Sequence, residues 1–162
     1  MDISLLPAVS AAEIARCAAL ADEIWHQHYA SILSPEQIDY MVEHFQSAPA
    51  MSRQIAEEGY RYVRVLCDGE EAGFFGYTHT GDELFLSKLY LRAAYRGRGL
   101  ARRALAFLEG ELVHGRITLT VNRYNANSIA AYRALGFSVI REQCSDIGAG
   151  FVMDDFVMEK RI

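Results

Sequence analysis

The spacing of apolar residues changes period along the chain. In the first third the period is helical. Ile14, Cys17, Ala18, Ala21, Trp25 and His28 fall on one stripe, opened by Ser10 with Glu13 three residues later as a capping box. Pro35 follows Ser34 at the start of a second helix whose apolar positions are Ile38, Met41, Val42 and Phe45. A third helix covers Met51 to Glu58 and stops at Gly59. Ile3 to Leu6 reads as a first strand. From Tyr60 the period becomes that of strands: Tyr60 to Cys67, closed by Asp68-Gly69; Ala72 to Thr80, closed by Gly81; and the long run Glu83 to Leu91. Helical spacing returns from Arg98 to Leu112, with Leu100, Ala101, Ala104, Leu105 and Leu108 as its buried stripe. Ile117 to Asn122 then alternates, with Ile117, Leu119 and Val121 on one face and Thr118, Thr120 and Asn122 on the other. A short helix, Asn125 to Leu135, ends at Gly136 with Phe137 as the apolar residue of a Schellman-type cap. Two strands finish the chain, Ser138 to Ser145 and Phe151 to Lys160.

This order predicts a mixed α/β sheet of about six to seven strands, mostly antiparallel, with helices on both faces. Joining Glu83–Leu91 to Ile117–Asn122 through a helix requires a right-handed parallel crossover. The length of 162 residues suits a single domain, 1–162. No apolar run approaches the ~20 residues that span a membrane. Met1 to Pro7 carries Asp2 where a signal peptide would have a basic flank. Cys17, Cys67 and Cys144 are odd in number and far apart, which suits free thiols in the cytoplasm, and neither they nor the five histidines have metal-ligand spacing. The net charge of −5 argues against nucleic acid as a partner. Against that background Arg92, Arg96, Arg98, Arg102 and Arg103 crowd into twelve residues. Alone the cluster is a solvated helix face; its position gives it another meaning.

The strand Glu83–Leu91 leads into Arg96-Gly97-Arg98-Gly99-Leu100-Ala101 and then into a helix. Glycines at such a turn let a ligand approach the backbone. The first N–H groups of the helix lack internal partners and, with the helix dipole, favour an anion. Arginines add charge-assisted hydrogen bonds to phosphate oxygens. No Gly-Lys-Ser/Thr follows, so the turn is not a P-loop. It is not the first strand turn, and the next strand ends in Asn122 rather than an acid, unlike a dinucleotide fingerprint.

Arg96, Gly99 and Ala101 match the Gln/Arg-x-x-Gly-x-Gly/Ala signature of the GCN5-related N-acetyltransferases. A second segment also resembles that family: Val121-Asn122, then Asn125 to Tyr132, then Leu135-Gly136-Phe137. The tail Gly148 to Lys160 and the Trp25/Tyr29 region resemble a bacterial subgroup. Ala93-Ala94 stand where the family often has a proline.

The resemblance implies a splayed pair of central parallel strands with pantetheine in the gap. It implies acetyl-CoA as co-substrate, no metal, and a ternary complex without a covalent enzyme intermediate. Carried onto this chain, the backbone of Leu89, Tyr90 and Leu91 meets pantetheine. The N–H groups of Arg96, Gly97, Arg98, Gly99, Leu100 and Ala101 hold the pyrophosphate. Asn125 contacts the cofactor arm, and Tyr132 protonates the leaving thiolate. A primary amine with a pKa near 10.4 leaves only about one molecule in ~10³ unprotonated at pH 7, so a base is needed. Glu83, acting through a water held by Ser87, is the first choice, and a free, solvated strand end beside Asp82 is its equal alternative. Trp25, His28 and Tyr29 border the acceptor pocket, with His28 readable rather as a core histidine, and Asp154-Asp155 readable either as an attraction for a cationic acceptor or, as acidic pairs on a strand usually are, as a solvated pair. The acceptor is a small-molecule amine or a peptide. A non-catalytic acyl-CoA binder is the reading from another class. Homodimers are common among similar proteins.

Overall fold

The computed structural model describes residues 1–162. Seven strands form one sheet in the order β1-β2-β3-β4-β5-β7-β6. They are β1 Ile3–Pro7, β2 Arg61–Cys67, β3 Glu70–Thr80, β4 Glu83–Leu91, β5 Arg116–Asn122, β6 Ser138–Gly148 and β7 Phe151–Arg161. The helices are α1 Ala11–His28, α2 Pro35–Met41, α3 Ala48–Glu57, α4 Leu100–Gly110 and α5 Ala126–Ala134. β4 and β5 are the parallel pair, and β1-β2, β2-β3, β5-β7 and β7-β6 are antiparallel. This is the mixed, mostly antiparallel sheet that the period changes predict.

The chain divides into two compact units: Met1–Thr78 with Ser87–Ala106, and His79–Leu86 with Phe107–Ile162. In the first, α1 starts as the sequence requires: Ser10 Oγ accepts from the Glu13 N–H at 3.2 Å, and a Glu13 carboxylate oxygen accepts from the Ser10 N–H at 2.9 Å. These backbone bonds, from Ser10 and then Val9, bring the Glu13 carboxyl down to about 2. Ile14, Cys17, Ala21, Ile24 and Trp25 bury the inner face of α1, while Val63, Val65, Phe74 and Phe75 bury β2 and β3. Fully burying one such large side chain stabilises by roughly 1.5–3 kcal/mol. Cys17 is fully buried, and burial pushes its thiol up to about 12.

Two departures from the sequence reading lie here. The second helix does not run evenly to Phe45: it passes into a π-helical turn, Val42–Gln46. The third helix starts earlier than Met51, because Ser47 caps it, accepting from the Ala50 N–H at 3.3 Å. Local capping chemistry overrides the apolar spacing there.

The core of the second unit is Leu84, Leu86, Leu108, Ile117, Leu119, Phe137 and Met158. α5 is short, and its ends hold it. Asn125 Oδ1 accepts from the Ser128 N–H at 3.3 Å. At the other end the Phe137 N–H reaches the Tyr132 carbonyl and the Gly136 N–H reaches the Arg133 carbonyl, both at 3.0 Å, with Gly136 at φ 101°. These are the two bonds of a Schellman cap, the termination predicted at Gly136-Phe137.

Candidate active site

β4 carries five of the positions singled out in the sequence: Glu83, Ser87, Leu89, Tyr90 and Leu91. Its parallel ladder joins Glu83, Leu84 and Phe85 to Arg116, Ile117 and Thr118. From Ser87 the strand belongs to the first unit, where Leu89, Tyr90 and Leu91 are half-buried. β3 comes very close there: a Cβ on Gly73 would stand 2.1 Å from the Tyr90 carbonyl oxygen, so only glycine fits.

The Arg92–Gly99 segment turns into α4 through a short 3₁₀ turn, Ala93–Tyr95. Gly97 and Gly99 have φ of 74° and 79°, the left-handed region, although a Cβ at either would meet nothing within 4 Å. Conformation rather than crowding therefore demands glycine at both. Leu100 is buried and Ala101 half-buried, while Arg96, Gly97, Arg98 and Gly99 are exposed. Arg96 Nε donates to the Leu91 carbonyl at 3.2 Å, and the Arg98 guanidinium lies 5.4 Å from the Tyr95 ring centre. Arg92 is bound to Glu23 by two hydrogen bonds of 3.0 and 3.2 Å. The result is an exposed, cationic, glycine-lined entry to a helix of eleven residues, which can receive an anion.

Around β4 in the first unit lies an aromatic and polar cluster. Trp25 stacks on Tyr29 at 4.3 Å and meets Tyr90 edge-on at 6.1 Å. The half-buried His28 sits edge-on to Tyr29 at 5.0 Å. Gln46 Nε2 donates to the Tyr90 hydroxyl at 3.3 Å. Trp25 Nε1 and Gln46 Oε1 are buried without a hydrogen-bond partner, one donor and one acceptor. Ser87 Oγ is paired with the Tyr60 hydroxyl at 2.9 Å.

Sequence reasoning missed Lys88. It lies in phase with Leu84 and Leu86, a parity that was the available signal, and is only 4% exposed. Its Nζ donates to the Phe45 carbonyl at 2.5 Å and to Gln54 Oε1 at 3.0 Å, and lies 5.2 Å from the Tyr62 ring centre. Tyr62 also donates to Gln54 Oε1. Burial brings the Lys88 ammonium down to about 7. Lys88 Nζ also lies 5.9 Å from the ring of Tyr60, whose hydroxyl pairs with Ser87.

In the second unit Glu83 is heavily engaged. Arg116 Nη2 donates to it at 2.9 Å and Thr118 Oγ1 at 2.9 Å, and these bonds, that from Arg116 foremost, lower its pKa. A carboxylate held this way is a weaker base than a free one. Tyr132 is half-buried, its ring edge-on to Phe137 at 5.7 Å. Asn125 is buried as the α5 cap. The Asp154-Asp155 pair, read as solvated, is not: Asp154 is half-buried and pairs with Arg123 at 3.1 Å, and Asp155 is buried. Asp155 lies in strand phase with Val157, on the face opposite Leu119 and Met158.

The family model described as Acetyltransferase (GNAT) family matches residues 17–137. The chain is 34% identical over 97 residues to the uncharacterized protein ML0378 of Mycobacterium leprae; the match covers 57% of this chain and 27% of that protein, so it spans about a quarter of the relative's length. Among solved structures, PaiA N-acetyltransferase from Thermoplasma acidophilum, in complex with coenzyme A, superposes with a TM-score of 0.78 at 22% identity, covering 100% of both chains. A GCN5-related N-acetyltransferase from Rhodopseudomonas palustris gives 0.74 at 21% identity, covering 100% of this chain and 97% of that one. The ribosomal-protein-S18-alanine N-acetyltransferase from Escherichia coli gives 0.67 at 20% identity, covering 99% and 94%. These three likenesses carry the fold, and the family match over residues 17–137 carries the assignment: the chain belongs to the GNAT family of acetyltransferases.

Proposed function

We propose that the protein, acting as one N-acetyltransferase domain, moves the acetyl group of acetyl-CoA to a primary amine of a small molecule by direct attack in a ternary complex. The observation that carries this reading is the turn from Arg96 to Ala101, with Gly97 and Gly99 at positive φ and arginines exposed around a helix start. Such a turn suits the diphosphate of coenzyme A. Coenzyme A is present in the similar Thermoplasma acidophilum structure, which supports the same ligand here.

The chain's own groups would share the work. The backbone of Leu89 to Leu91 pairs with the pantetheine amides, and an N–H near Leu89 polarises the thioester carbonyl. Asn125 contacts the cofactor arm. Tyr132 hands its proton to the departing sulfur. With its carboxylate tied to Arg116 and Thr118, Glu83 is better suited to holding β4 against β5 than to taking a proton. Three unpaired thiols suit a reducing compartment such as the cytoplasm.

A small acceptor is favoured over a peptide by the cluster of Trp25, Tyr29 and Tyr90. It is aromatic, and one buried donor and one buried acceptor without partners belong to it. A peptide acceptor is the second reading, since the similar Escherichia coli enzyme is named for a ribosomal protein. The test is thiol release from acetyl-CoA with small amines and N-terminal peptides, alongside calorimetry with coenzyme A. Binding of coenzyme A with release driven by small amines is the expected result. No heat of binding to coenzyme A would overturn the reading.

A further inference from the structure

Two carboxylates lie on one face of the second unit's sheet and are held in opposite ways. Along β5, Arg116, Thr118, Thr120 and Asn122 share that face, and their β7 partners are Arg161, Glu159, Val157 and Asp155. Glu83 belongs to the same face, since it bonds Arg116 and Thr118. Its charge is matched.

The charge of Asp155 is not. Asp155 is 7% exposed, and its Oδ1 is buried with no hydrogen-bond partner. Its cross-strand neighbours are Asn122 and Gln143, both polar, and neither is bonded to that oxygen. Asn122 Oδ1 accepts from the Tyr124 N–H at 2.9 Å, and Gln143 Nε2 donates to Ser145 at 3.3 Å. The ionisable groups around it are Asp154 on β7, Arg123 just beyond β5, and Arg141 and Glu142 on β6. Arg123 is taken by Glu142 at 2.7 Å and Asp154 at 3.1 Å. Burial, with Asp154 second, pushes the Asp155 carboxyl up to about 6. A buried carboxylate without a partner is costly, so one that persists calls for a cation that comes and goes.

We infer that Asp155 receives the acceptor's ammonium group and takes its proton. This rests on the proposed acetyl transfer. The ammonium gives one proton to the Asp155 carboxylate and becomes a neutral amine. The nitrogen lone pair forms the N–C bond to the thioester carbonyl carbon, and the C–S bond breaks with its electron pair on sulfur. The second nitrogen proton passes to that thiolate by way of the Tyr132 hydroxyl, giving the amide and free coenzyme A. Asp155 returns its proton to solvent. At pH 7 and above the carboxyl is mostly ionised, yet it is more basic than an ordinary aspartate.

The test uses the full chain, with and without coenzyme A, titrated with n-propylammonium chloride by calorimetry at pH 8. Asp155→Asn should weaken binding about tenfold or more, while Glu142→Gln, an exposed carboxylate already paired with Arg123, should leave it unchanged. Equal affinity in wild type and Asp155→Asn, or no binding to either, overturns the inference. Should the variant fold poorly, NMR of the carboxyl carbons of ¹³C-labelled aspartate in wild type still decides. One carboxyl should titrate near pH 6 and shift on adding the amine; no aspartate titrating between pH 5 and 7 overturns it. With any acceptor found by thiol release, the acid limb of kcat/KM should flatten in Asp155→Asn. Failure of coenzyme A to bind wild type would sink the acetyl-transfer reading, while the titration without coenzyme A would still decide Asp155.

Discussion

Lys88 shows how one side chain can couple burial to pH. Below about pH 7 the native chain must hold a buried ammonium; above it the amine is neutral, whereas in the unfolded chain lysine keeps its proton up to the ordinary 10.5. Between those values the unfolded state binds more protons, so stability rises with pH. Denaturant titrations at pH 6.5 and pH 9 should show that rise in wild type and a smaller one in Lys88→Met. An equal rise in both would mean that the buried lysine is not its source. Tyr132 is tested through turnover. Tyr132→Phe keeps the ring contact with Phe137 but loses the hydroxyl, so kcat should fall by about 10²-fold with little change in the acetyl-CoA KM. A kcat unchanged across pH would remove the proton-donor role.

At the scale of elements, much of this molecule was legible in the sequence. The alternation of β5, the long run of β4 and the Ser10–Glu13 box each came out as expected, because each is set by local chemistry. So did the end of α5, where Gly136 and Phe137 supply the two N–H groups of the cap. What stayed hidden depended on distant partners. The π turn at Val42–Gln46 leaves the Phe45 carbonyl to accept from Lys88 and from Gln54, residues no local pattern connects to it. Asp155 looked like half of a solvated pair because its burial comes from β5 and β6 on either side. Glu83 looked free because Arg116 reaches it only across the sheet. The turn into α4 is read as a phosphate site from its composition, and its backbone angles allow a direct test of that proposal. Gly99→Ala would force an alanine to φ near 79°, at a cost of about 1–2 kcal/mol. Melting should fall accordingly, and coenzyme A affinity should drop about tenfold; full affinity would show that the turn does not grip the diphosphate.

The charge of the whole molecule gives a test by sign. The chain carries −5 overall, so a polyanion meeting only that net charge would be repelled, and added salt would improve its binding. A polyanion meeting the exposed arginines of the Arg96–Ala101 turn would be attracted, and added salt would weaken it. Raising sodium chloride from about 0.05 to about 0.5 M should therefore lower coenzyme A affinity several-fold by calorimetry. Affinity that holds steady or climbs would place the anion elsewhere.

The end of α5 also bears on redesign. The carbonyl of Tyr132 takes the Phe137 N–H, and its ring leans on the Phe137 ring. The residue proposed to deliver a proton is thus clamped through its main chain and its side chain by the stop signal of its own helix. It has little freedom left to lose when substrates arrive, which is a catalytic advantage. Laboratory evolution toward unfamiliar amines should accordingly leave Leu135, Gly136 and Phe137 alone and vary the surroundings of Trp25 and Tyr29, the acceptor pocket proposed above.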